Sequence, residues 1–111
     1  DVERRGLGEK ILLVITGEFG RTPKINKNGG RDHWGNLCTL AFVGGGLQMG
    51  QVIGRSDRTA GAPASEPISS SQVLATVMHT LFDLQEVRVL PGLPNEVTTA
   101  VAGGEPIREL V

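Results

Sequence analysis

Three side chains early in this chain could hold a metal ion: Glu18, Asp32 and His33, two carboxylates and an imidazole with a short loop between them. These are donor types that zinc, manganese and calcium draw on. Arg21 and Arg31 lie among them, and a guanidinium is a rigid bidentate donor for two oxygens of a phosphate or sulfate. The chemistry these types suggest is metal-assisted handling of an oxyanion. The structural account of the same residues has Asp32 capping a turn, His33 packing beside Trp34, and the arginines pairing with Glu18 and Asp32.

The elements that must position these groups follow from the apolar pattern. Ile11-Leu12-Leu13-Val14-Ile15 is a short apolar run bounded by charged residues and glycine, which predicts an interior strand over residues 10–16. In open α/β sheets ligands collect beyond the carboxyl ends of such strands, where Glu18 stands. Residues 23–30 carry turn formers and cations without periodicity and read as a loop, with Asn26 serving a turn. A second strand is expected across residues 38–43, closed by Gly44-Gly45-Gly46, and a third, short one at 51–53. The glycine run lacks the Lys-Ser/Thr of a phosphate-binding P-loop, so it reads as a strand-end turn.

The clearest helix follows Pro67, with Ser69, Ser70 or Ser71 available to cap it. Val73, Leu74, Val77, Met78, Leu81 and Leu84 recur at helical spacing and predict one apolar stripe. His79 on this helix reads as structural, and Trp34 as a packing anchor. Residues 1–9 read as a helix end stopping near Gly6 or Gly8. Beyond the long helix, the proline-rich tail predicts only a short strand or turn.

Bulk properties bound the function classes. The chain has 111 residues, 39% of them hydrophobic, and a net charge of −1, which describes a single ordinary globular domain and offers no electrostatic footprint for nucleic acid. No apolar run approaches the length of a membrane span, and no export leader is expected within these residues. The single cysteine, Cys38, excludes an internal disulfide. A strand apolar on both faces needs cover on both sides, which parallel sheets obtain from crossover helices. With one clear helix, residues 1–111 are expected to be a single partial domain whose partner is the remainder of its own domain or another subunit.

Leu12-Leu13-Val14-Ile15-Thr16-Gly17-Glu18-Phe19-Gly20 resembles the strand and turn of the alkaline phosphatase, sulfatase and phosphoglycerate mutase superfamily, where a similar strand ends in Thr-x-Asp-His-Gly. His33, followed by Leu40-Ala41-Phe42-Val43-Gly44-Gly45-Gly46, is similar to that superfamily's later metal-binding histidine. The helix from Val73 to Phe82 resembles its Pro-Thr-Leu-Leu helix. More closely, Glu18-Phe19-Gly20-Arg21-Thr22-Pro23 with Gly30-Arg31-Asp32-His33 and Ala75-Thr76 resembles an uncharacterised bacterial family, catalogued as a domain of unknown function. Its full-length members are several times longer and typically carry a twin-arginine export signal.

The resemblance implies an α/β fold, the C-terminal fragment of an alkaline-phosphatase-like α/β/α sandwich. It implies a metal-dependent hydrolase of phosphate or sulfate esters, with Glu18, Asp32 and His33 on a divalent cation (zinc, manganese or calcium). Arg21 and Arg31 would bind the anion, and the substrate would be an anionic small molecule or glycan. The location implied is the periplasm or cell envelope. One departure is plain: Glu18-Phe19 stands where the phosphatases have Asp-His, and a phenyl ring cannot ligate a cation through a lone pair. The superfamily's nucleophile lies near the N-terminal end of the full domain, so none is assigned here. The alternative is a non-catalytic exported protein that keeps the scaffold for binding or structure.

Overall fold

In the computed structural model, which describes residues Asp1–Val111, the apolar run forms strand β1 (Leu12–Ile15) and the segment before the triple glycine forms β4 (Ala41–Gly44). Between them lie two two-residue strands, β2 (Gly20–Arg21) and β3 (His33–Trp34). Three helices follow, α1 (Ser70–Leu81), α2 (Leu84–Val89) and α3 (Asn95–Ala102). The class is mixed α and β with small sheets: β1 pairs with β4, and β2 pairs antiparallel with β3.

The chain divides into two compact units. The first comprises Asp1–Leu12, Val43–Gln51 and Ile68–Val111, and the second Leu13–Phe42 and Val52–Pro67.

The helices of the first unit begin where their caps dictate. The Ser69 hydroxyl accepts from the Gln72 backbone N–H while the Gln72 side chain accepts from the Ser69 N–H, a reciprocal box that satisfies two otherwise free amides. The Asp83 carboxylate accepts from the N–H groups of Gln85 and Glu86 and starts α2. Arg88 donates 2.9 Å to the carbonyl of Ala102 at the end of α3, placing a cation where the helix dipole favours one.

The core of this unit is small: Leu47, Ala75, Ala102, Ile107 and Leu110 are buried, together with Thr76. The expected apolar stripe holds in part: Val73, Val77, Met78 and Leu84 are half-buried, while its two other members are not. Leu74 and Leu81 are 49% and 58% exposed, and Ala75 and Thr76 are the buried pair. The reason is the close approach of the C-terminal segment: a Cβ at Gly104 would stand 2.8 Å from that of Ala75, so this face takes small residues rather than large ones.

Two further expectations change. The tail holds two helices rather than a strand or turn; Pro91 falls between them, Pro94 at the α3 N-cap, where a missing N–H is harmless, and Pro106 after α3. Residues 51–53 form no strand. The preceding segment is strapped instead to the C-terminus, with the Gln48 N–H donating to Leu110 and the Gln51 amide to Glu109. The triple glycine is the expected strand-end turn. Gly45 has φ +66°, and a Cβ there would meet Thr80 and Leu12, so only glycine fits.

In β1, Leu12 and Val14 are half-buried while Leu13 and Ile15 are 50% and 56% exposed. Val43 of β4 is also exposed.

Candidate functional site

All five residues singled out in the sequence belong to the second unit, and its hairpin brings four of them onto or beside one strand pair. In β2–β3 the register sets Gly20 opposite Trp34 and Arg21 opposite His33. Gly20 is what allows the approach: a Cβ there would collide with the Leu37 carbonyl.

Phe19, just before β2, lies against His33 with ring centroids 4.0 Å apart and planes tilted by 35°. The Arg21 guanidinium carbon sits 5.6 Å from the Phe19 centroid, within the range of cation–π attraction. The Phe19 ring is thus a shelf holding an imidazole and a guanidinium. His33 packs on Phe19, and Trp34 goes elsewhere, its indole N–H donating 2.8 Å to the Gly61 carbonyl.

The loop between the strands is closed by Asn26. Its Oδ1 accepts from the N–H groups of Asn28 and Gly30, both at 3.0 Å, and its Nδ2 donates 2.8 Å to Asp32 Oδ1. Its backbone N–H donates to Gly30 and its carbonyl accepts from Gly29. Arg31 adds a second closure, with Nη1 donating to the carbonyls of Thr22 at 2.8 Å and Pro23 at 2.6 Å. Thr22 completes it by accepting from the Asp32 N–H and donating to the Lys24 carbonyl.

Neither arginine pairs with Glu18 or Asp32; the three ion pairs of the protein are Arg4–Asp1, Arg5–Asp1 and Arg108–Glu105. Glu18 is exposed. Asp32 and His33 are adjacent in the chain, but no three His, Cys, Asp or Glu side chains converge on a point where a metal could sit. The structure therefore joins Arg21 to His33 and orients Asp32, and it leaves Glu18 outside that pairing.

Asn26 serves the turn expected of it and also orients the carboxylate of Asp32. One contributor escapes a reading of residue types. Asp57 carries no catalytic or ligand signal in the sequence, yet its Oδ1 accepts from the N–H groups of Thr59 and Gly61 and from the Thr59 hydroxyl, each at 2.9 Å. These bonds, the Gly61 N–H foremost, hold its carboxyl below the usual range, because each favours the charged form. The Asp-x-Thr spacing of an Asx turn was the available signal. Cys38 is exposed, with Sγ 3.3 Å from the Gly17 carbonyl.

Residues 1–111 match the model of a family described as a protein of unknown function (DUF1501). No curated protein and no solved structure matches the chain.

Proposed function

This chain belongs to the DUF1501 family, and we propose that its β2–β3 hairpin is the metal- and anion-binding part of a hydrolase of phosphate or sulfate esters. The scaffold in this proposal is an alkaline-phosphatase-like α/β/α sandwich in an exported protein. The observation that carries it is the fixing of Asp32 by the Asn26 amide beside His33, itself held on Phe19. A carboxylate ligand is commonly oriented by such an outer hydrogen bond.

The donor chemistry fits a divalent ion such as zinc, manganese or calcium. Asp32 and His33 would hold it, with Glu18 as a further donor. When bound, the ion would polarise the ester and offset developing negative charge. Arg21 would grip the ester oxygens from across the strand pair, since no carboxylate occupies its guanidinium. Arg31, spent in part on the Thr22 and Pro23 carbonyls, would orient the anion through its remaining donors. The exposed Leu13, Ile15 and Val43 support a piece of a larger domain whose remainder, or another subunit, covers them.

A second reading, a non-catalytic exported binding protein, is favoured by the lack of three converging donors and by Phe19. Metal analysis decides between them. Stoichiometric zinc or manganese in the purified protein, lost in Asp32→Asn and His33→Ala, supports the hydrolase. Absence of metal uptake, with sulfate or phosphate still bound through Arg21, supports the binding protein.

A further inference from the structure

The end of β2 and the loop that follows it carry more positive charge than one ester group needs. Arg21, Lys24, Lys27 and Arg31 fall within eleven residues of a chain whose net charge is −1. None of the four forms an ion pair. The loop is also built in advance: the bonds of Asn26, Arg31 and Thr22 close it without using either lysine side chain. A closed loop holding unpaired cations binds an anion without first losing chain entropy. Between Lys24 and Lys27, Ile25 is 65% exposed, so the surface between the two cations is apolar.

We propose that residues 22–31 form a subsite for a polymeric substrate, a glycan bearing repeated sulfate or phosphate monoesters, with Lys24 and Lys27 holding ester groups adjacent to the one at the hairpin. The assignment rests on the ester-hydrolase reading, because a hydrolysable monoester repeated along a polymer is found on sulfated or phosphorylated glycans. Nucleic acids carry diesters instead, and single-strand readers present stacked aromatics, which this loop lacks.

The test measures binding of dextran sulfate and of phosphorylated dextran, as separate arms, to the wild-type chain and to a Lys24→Gln/Lys27→Gln variant. Single-stranded DNA of equal charge and free sulfate serve as competitors. Both lysines are exposed, and unchanged hydrogen exchange at Asn28 and Gly30 certifies the loop of the variant. Removing two cations lowers affinity about tenfold at low salt and flattens its salt dependence, as expected when fewer counterions are released. The arm with the larger loss identifies sulfate or phosphate as the preferred ester. Equal affinity of variant and wild type for both polymers overturns the subsite, and DNA competing as well as the glycans overturns its class. A protein that takes up no metal yet binds through the two lysines fails the hydrolase reading and retains the subsite. A metal-loaded protein indifferent to the lysines does the reverse.

Discussion

The indole N–H of Trp34 reaches the carbonyl of Gly61, 27 residues further along the chain, at 2.8 Å. The bond ties the strand beside the candidate site to the turn organised by Asp57, within one unit. Trp34→Phe keeps most of the packing and orphans the carbonyl. It is expected to lower stability by about 1 kcal/mol, and Trp34→Ala by about 3. Urea midpoints of the two variants check the ranking; a Trp34→Phe variant as stable as wild type would show that the hydrogen bond contributes nothing.

Asn26 holds three side-chain bonds in the loop. Asn26→Ala should therefore raise amide exchange at Asn28 and Gly30 by about tenfold or more, since each bond is worth about 1 kcal/mol. Asn26→Asp keeps the acceptor for the Asn28 and Gly30 amides but replaces the donor to Asp32, so exchange should rise less than in Asn26→Ala. Exchange measured by NMR reads both effects, and an unaltered loop in Asn26→Ala would remove Asn26 from its assigned position.

Asp57 gives the protein an acid limb. Its carboxyl binds a proton less readily in the fold than in the unfolded chain. The carboxylate therefore stabilises the fold above the ordinary aspartate range, about pH 4, and the contribution disappears as pH falls through the lower folded value. Asp57→Asn retains an acceptor for the Thr59 and Gly61 amides without titrating. The expected result is a flatter melting temperature between about pH 5 and pH 2 than in wild type; parallel curves would exclude Asp57 as a source of acid sensitivity.

Ala60 sits at φ +54°, the one residue other than glycine in the left-handed region. A side chain there costs about 1–2 kcal/mol, against about 0.5–1 for the extra freedom glycine brings to the unfolded chain. Ala60→Gly should thus stabilise by about 0.5 kcal/mol. A lower denaturation midpoint would mean that the strain is already relieved by the bonds around Asp57.

Thr76 is fully buried, donating to the Gln72 carbonyl at 2.8 Å and accepting from the Ile107 N–H at 2.9 Å. Thr76→Val preserves shape but leaves the buried Ile107 amide without a partner, a loss of about 1–3 kcal/mol. Thr76→Ser keeps both bonds and should cost less. If valine proves the milder change, the helix and the C-terminal segment are joined by packing alone.

Strands β1 and β4 and the capped helix α1 were legible because an apolar run, a glycine turn and a serine cap each have a local physical cause. Helices α2 and α3 were not, being six and eight residues long, too short for periodicity to stand out between prolines. At the site, residue types were visible and partners were not. A two-residue strand has no alternation from which register can be read, and it is register that places Arg21 opposite His33. Phe19 was visible as an aromatic residue beside the acids, but its use as a shelf depends on that same pairing.

Gly20 separates the frame of the hairpin from its chemistry. Because backbone meets backbone at Gly20 and Leu37, the geometry there is set by the main chain, while the neighbouring positions 18, 21, 32 and 33 face solvent. Glu18, which makes no side-chain bond, can be exchanged with little penalty to the frame, whereas Asp32 and His33 carry the contacts to Asn26 and Phe19. Such a hairpin is evolvable at its rim: the glycine keeps the frame while exposed positions without partners change.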